Sequence, residues 1–315
     1  MENPRALDLH GILDHGNPDA VIRSVRTTYL AAYPSADFSQ INEAFSLTHD
    51  LYSGRFPGYA ACRTGYHDYR HTIDVFVAAV RLLDGAALSA RRLSESFAED
   101  VLIAALLHDC GYIQEIGNEE GTGARYTKTH VVRSAAFVQT HAAAFRLSST
   151  RAANVAAIIL GTDLAIPWDS LKFDDPDGKT ATAVLAAADL LGQMADRAYL
   201  EKLLFLYYEF REAGIGGYKT AFDVLRKTAT FYESIVARLE GSLVVVSHDA
   251  RVHFAVRCGE DRDLYREAID KQMSYLSAIM KDDSVNFRKR LRRVDLEQVE
   301  RAESSRLKAL GVVFA

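Results

Sequence analysis

The chain has 315 residues, 49% hydrophobic and 25% charged, with a formal net charge of −5 from 42 acidic against 37 basic residues. This is an ordinary globular composition with ample apolar material for a core, and about 150 residues per domain allows one large domain or two small ones. The acidic balance argues against a nucleic-acid partner, which favours a basic excess or stripe, and no stretch approaches the ~18 uncharged apolar residues of a membrane span.

Only six prolines interrupt the chain, so long helices are permitted, and helical periodicity dominates. Asn17 or Asp19 caps a first predicted helix ending near Ala32. A second covers roughly 39–52, a third starts near His67 and ends by Gly85, and a fourth runs from about Ser94, its N-cap, to Cys110. Gly111 sits where a C-terminal glycine would. Residues 117–123, with three glycines and two glutamates, read as a loop. Further helices are predicted at about 129–145, 149–160, 180–196, 199–213 and 218–239, with a polar surface loop at 169–178. The run Leu243–Ser247 (LVVVS) is too short to decide between a strand and a buried helical turn. The expected organisation is N-terminal helices over 1–65 packed on a core at 66–240, then a helical extension over 241–315, all one continuous unit.

Cys62, Cys110 and Cys258 show no CxxC or framework spacing, which fits a reducing compartment. The opening MENPRALDLHGILDHG lacks an apolar core of signal-peptide length, so a cytoplasmic location is expected. The basic run RKRLRR at 288–293 is flanked by acidic residues and reads as a solvated helix face.

The strongest chemical signal is an ordered set: His71, then His108-Asp109, then Asp189. In ALLHDCGY an apolar run leads to the His-Asp pair and then to glycine, a pattern for a buried helix that ends at its ligands. Asp189 lies in AVLAAADLLGQMAD, where a carboxylate is expensive to bury unless it meets a metal or a partner. Imidazole with carboxylate suits zinc, iron, manganese, cobalt or magnesium, and two His with two Asp leave positions open for water and substrate. The dipeptides His49-Asp50 and His248-Asp249 lack the preceding apolar helix and following glycine and are set aside. His67 and His71 are four apart, so on a helix they share a face.

The chain resembles the HD superfamily of metal-dependent phosphohydrolases, and within it the class I cyclic-nucleotide phosphodiesterases, from about Tyr66 to Leu239. The segment YHDYRHTIDV from Tyr66 is similar to that family's YHNxxHAxDV. Ala105 to Asp109 (ALLHD) matches its apolar-HD motif, and IILGTDL from Ile158 is similar to its VLATDM. Ala188-Asp189-Leu190 matches its ADL, and Tyr208-Glu209-Phe210 resembles its EEF. The resemblance implies an all-α, phosphodiesterase-like helical bundle. It implies His71, His108, Asp109 and Asp189 as ligands of one divalent metal ion, with a second left open, and His67 as general acid. The family's HDxxH ends here at Tyr112. His130 is the candidate to compensate, as a second-metal ligand or phosphate contact, with Lys128 or Arg133 as further phosphate candidates. Thr228 stands where the family reads a purine with Gln, and Phe231 is the candidate ring clamp. Asp68 replaces an Asn and adds a charge expected to hold His67 protonated. Asp163 is expected near the site.

The expected function is hydrolysis of a nucleotide-like or cyclic phosphoester by metal-activated water, on a small-molecule substrate. Two alternatives stand beside it. One is a non-catalytic metal- or nucleotide-binding protein. The other is a di-iron oxygenase of HD fold, disfavoured because Thr162-Asp163 stands where a further His is needed. The C-terminal extension has two candidate roles, homodimerisation or covering the site.

Overall fold

In the computed structural model, which describes residues 9, 11, 13–173, 175–281, 287–291, 293 and 296–311, the chain is all helical; among these residues there is no strand, and an isolated bridge joins Tyr59 and Glu115. Residues 1–8, 10 and 12 of the opening segment, Arg292 of the basic run, and 282–286, 294–295 and 312–315 of the extension lie outside the described residues.

The architecture is organised around α3 (Tyr69–Leu88). From His71 to Ala86 every residue of this helix is buried, so it has no solvent face, and a helix apolar on all sides belongs in the interior. Its neighbours are α1 (Pro18–Ala32), α4 (Glu95–Leu107), α7 (Pro176–Ala195) and α11 (Asp249–His253). An outer layer is formed by α2 (Ser39–Tyr52) on α4, and by α5 (His130–Thr140) on α6 (Ser149–Leu160). Then come α8 (Tyr199–Glu212) on α9 (Ala221–Glu240), and α12 (Leu264–Lys281) across α7 and α9. The LVVVS run resolves as a helical turn, α10 (Val244–Ser247), against α7 and α9. Short α13 (Phe287–Arg290) and α14 (Leu296–Ala309) follow. The bounds of α2 and α6 match the sequence reading, α5 stops five residues short of the expected 145, and α7 starts earlier, at Pro176 behind its N-cap Asp175.

The polar residues inside α3 explain how both ends of the chain are held to it. Asp74 accepts from His15 at 2.6 Å and from Arg70 at 3.0 Å, with the Lys202 ammonium 4.0 Å away. Burial opposes the charge of Asp74, but Arg70, His15 and Lys202 outweigh it and hold the carboxyl well below the usual carboxylate range. Arg81 donates to the Tyr265 hydroxyl (3.0 Å) and lies over the Phe254 ring. Asp84, fully buried, pairs with His253 (2.8 Å) and Arg257 (2.7 Å), which sit on either side of the start of a π-helical turn, Phe254–Cys258. Paired burial of this kind is what makes an interior charge tolerable.

Close packing adds a steric requirement. A Cβ on Gly85 would stand 1.9 Å from the Asp249 carbonyl oxygen of α11, a backbone atom that cannot step aside. Gly85→Ala is therefore expected to destabilise the fold by about 3 kcal/mol or more through overpacking. Thermal unfolding followed by circular dichroism should show the melting temperature lowered by roughly 5–10 °C.

Candidate metal centre

Helix α3 begins later than its periodicity suggests. Asp68 is its N-cap, accepting from the His71 backbone N–H at 2.9 Å, so the helix starts at Tyr69 and His67 lies before it. The expectation that His67 and His71 share a helical face is corrected accordingly. A turn aims His67 instead: the Thr64 hydroxyl donates to the His67 carbonyl at 2.6 Å. The fourth helix likewise ends at Leu107, so His108 and Asp109 follow it directly, before a 3-10 turn over Cys110–Tyr112. Gly111 has no left-handed backbone; it is required because a Cβ there would stand 2.0 Å from the His130 carbonyl of α5. Ser134 accepts from the Gly111 N–H (2.8 Å) and Arg133 donates to its carbonyl (2.8 Å), tying the His-Asp turn to α5.

These elements converge four side chains. His71 Nε2 lies 3.3 Å from His108 Nε2, 3.2 Å from Asp109 Oδ2 and 3.3 Å from Asp189 Oδ1. His108 Nε2 lies 3.4 Å from Asp109 Oδ2 and 3.8 Å from Asp189 Oδ1. Donors about 2.1 Å from a common centre stand roughly 3.0 to 3.4 Å apart in octahedral or tetrahedral arrangements, close to this spacing. His108 directs Nε2 inward because its Nδ1–H donates to the Ala105 carbonyl at 2.9 Å. Asp109 Oδ2 is buried and has no hydrogen-bond partner, as expected of an oxygen shaped for a cation. The buried group His71, His108 and Asp109 can hold a metal ion. Burial disfavours charge on His71, but the adjacent Asp109 and Asp189 carboxylates outweigh it and push its pKa up to about 10. For Asp109, burial is likewise outweighed: His108, His71 and His67 hold it well below the usual carboxylate range.

Asp109 uses both oxygens. While Oδ2 faces His71 and His108, Oδ1 lies 3.5 Å from His130 Nε2. His130 donates from Nδ1 to the Thr127 carbonyl (2.7 Å), and burial lowers its pKa, so a neutral ring presents a lone pair to Asp109. Tyr112, fully buried, stacks on both His130 and His67 at 4.5 Å, with interplanar angles of 20° and 15°, while the two histidine rings stand 5.9 Å apart and 34° from parallel. The tyrosine at the end of the HDxxY segment is thus a shared packing platform for the two histidine rings.

Sequence reasoning gave Glu209 no role, yet its carboxylate anchors the site. Oε2 meets His67 Nδ1 at 2.6 Å, and Oε1 accepts from the backbone N–H groups of Tyr66 (2.7 Å) and His67 (3.3 Å). Burial opposes a charge on His67, but Glu209 outweighs it and raises the imidazole pKa. Glu209, and not Asp68, is the carboxylate that keeps His67 protonated; the Asp68 side chain serves as the helix cap. The available signal was a glutamate among aromatic residues in YYEF, on the buried face of α8. One turn on, Glu212 accepts from Thr122, Gly123 and Arg125, pinning the glycine-rich loop to the same helix. Asp189 is steadied by a relay: the Tyr66 hydroxyl donates to Gln193 Oε1 (3.0 Å), and Gln193 Nε2 donates to Asp189 (3.3 Å).

His67, His71, Asp109, Tyr112, His130 and Asp189 face one cavity of about 300 Å³, which Thr162, Asp163, Thr228 and Phe231 also line. Lys128 and Arg133 do not reach it; Lys128 is exposed, and the Arg133 guanidinium lies over the Tyr126 ring at 3.7 Å. His49-Asp50 and His248-Asp249 are elsewhere: His49 contacts Arg55, His248 contacts Glu240, and Asp249 pairs with Arg91. Cys62, Cys110 and Cys258 form no disulfide among the described residues. No helix among the described residues is long and apolar enough to cross a membrane.

Residues 118–248 match the Npun_R2479-like family. The match spans about two-fifths of the chain and carries a description that names no activity. It includes His130, Asp189 and Glu209 and begins after His67, His71, His108 and Asp109. No curated protein matches the chain.

The tie between the His-Asp turn and α5 makes Gly111→Ala informative. The added methyl group should push the turn off α5 and weaken divalent-ion binding by about tenfold, the range seen when outer partners of metal ligands are disturbed. Titration of the purified variant with Mn²⁺, read by calorimetry against the wild type, checks this.

Proposed function

We propose that this chain is a metal-dependent phosphohydrolase that cleaves a small phosphoester, in keeping with its resemblance to the HD superfamily. One observation carries the reading: an imidazole backed by a buried carboxylate opens into the same cavity as a set of cation ligands. His71, His108, Asp109 and Asp189 would hold the ion. When bound, a divalent cation supplies the Lewis acidity that phosphoester hydrolysis needs.

The chain's own residues then divide the remaining work. With Nδ1 engaged by Glu209, His67 carries its second proton on Nε2 and gives it to the departing ester oxygen. Glu209 keeps the imidazolium charged before the transfer and fixed in direction throughout, because the same carboxylate also clamps the two backbone amides beneath it. Tyr112 restricts the ring to one plane by stacking. His130 and Asp109 Oδ1, two acceptors facing each other, would hold a second divalent cation if one binds. Asp163 and Thr162 stand on the cavity wall where a di-iron oxygenase of this fold would need histidine, and this favours hydrolysis over oxygenation.

The test is turnover of bis(p-nitrophenyl) phosphate and of cAMP by the metal-loaded protein. His67→Ala should lower kcat by roughly 10²- to 10⁴-fold. Glu209→Gln should move the basic limb of the pH–rate profile to lower pH. The carboxylate that raises the His67 pKa is then gone, so the imidazole loses its proton at a lower pH and the acid is used up sooner. A basic limb that stays in place would remove His67 from the acid role.

A further inference from the structure

The cavity lining is of two kinds. The cation ligands His71, Asp109 and Asp189 share it with His67, Tyr112 and His130, and the apolar part comes from Leu203, Leu206 and Phe210 of α8, from Tyr218 between the helices, and from Val224 and Phe231 of α9. Among the described residues that line it, Lys227 is the only lysine or arginine. Its ammonium already donates to the Gly217 carbonyl at 2.9 Å and sits 4.3 Å from the centre of the Tyr218 ring.

Three further polar groups on the walls are also engaged. The Thr228 hydroxyl donates to the Val224 carbonyl (2.8 Å) and that of Thr162 to the Ile159 carbonyl (2.9 Å), each within or at the end of its own helix. Gln193 spends its carbonyl on Tyr66 and its amide on Asp189. A nucleotide carries sugar hydroxyls and a base edge that ask for adjacent donors and acceptors, and a site that buries them unmatched loses affinity. The cavity, at about 300 Å³, also lies at the lower end of the ~300–1,000 Å³ usual for small-molecule sites.

We propose that the substrate is a small phosphoester whose non-reacting group is apolar and about the size of one ring, an aryl or alkyl ester and not a nucleotide. The phosphorus end meets the ligand cluster and His67, and the apolar group lies against Phe231, Phe210 and the leucines of α8. This rests on the phosphohydrolase reading above, and it gives Phe231, the candidate ring clamp, an apolar ester group in place of a nucleotide base.

The test measures binding rather than turnover. The full chain is loaded with Mn²⁺, its content verified by elemental analysis, and titrated calorimetrically with inorganic phosphate, phenylphosphonate and adenosine 5′-monophosphate. Phenylphosphonate should bind at least about tenfold more tightly than either of the others, a ratio that filling an apolar pocket ordinarily produces. Phe231→Ala should bring phenylphosphonate back towards phosphate. If phosphate binds but phenylphosphonate gains nothing, or the nucleotide binds as tightly, the apolar substrate class is overturned while the hydrolase reading stands. If the loaded protein binds no phosphorus oxyanion, both fall.

Discussion

A helix buried around its whole circumference is the constraint on which the rest of this structure depends. Because α3 has no solvent side, it needs cover on every face, and segments from both ends of the chain supply it: α1 and the His15 segment before it, α11 with the π-helical turn beyond, and α12. Three buried charges of α3 accordingly find partners on those segments, Asp74 in His15, Arg81 in Tyr265 and Asp84 in His253 and Arg257. The extension past residue 240 is in this sense part of the core and no appendage. The same enclosure sets His71 rigidly at the first turn of α3, where its ring meets His108 and Asp109.

The site extends this logic to polar groups. Two imidazoles and two carboxylates crowd into a volume that a hydrogen-bond network alone does not satisfy, as the unpartnered Asp109 oxygen shows. Around that strained centre the supports are well matched. Helix α8 carries Glu209 and Glu212 three residues apart, so one rigid element clamps the segment before α3 and the loop before α5. Tyr112 then packs against both of the histidines those segments deliver. Pre-organisation of this kind holds a general acid where it acts without reorganisation at the moment of reaction.

Much of this was legible in the residues. The bounds of α2 and α6 follow from their apolar periodicity, Ser94 and Ser148 cap helices by an ordinary side-chain bond, and the His-Asp pair after an apolar run does mark a buried helix end. What stayed hidden depends on contacts distant in sequence. The start of α3 turns on which residue caps it, and Asp68 wins over the apparent helical spacing of His67 and His71. Glu209 is 142 residues from the histidine it charges, and no local pattern carries that distance. Gly111 looks like a helix stop, whereas its reason is the backbone of α5 pressed against it. LVVVS reads as either period because five residues are too few to show one, and its packing on α7 and α9 decides for helix.

The central claim is that His71, His108, Asp109 and Asp189 form a divalent-cation site that powers hydrolysis. It is tested most directly by the metal content of the purified protein, determined by elemental analysis for wild type and Asp109→Ala alongside bis(p-nitrophenyl) phosphate turnover. The account predicts that the wild type holds at least one equivalent of a divalent metal and turns the substrate over, and that Asp109→Ala loses both. A wild type that binds no metal under any reconstitution, or an Asp109→Ala protein that keeps its metal and its activity, would contradict it.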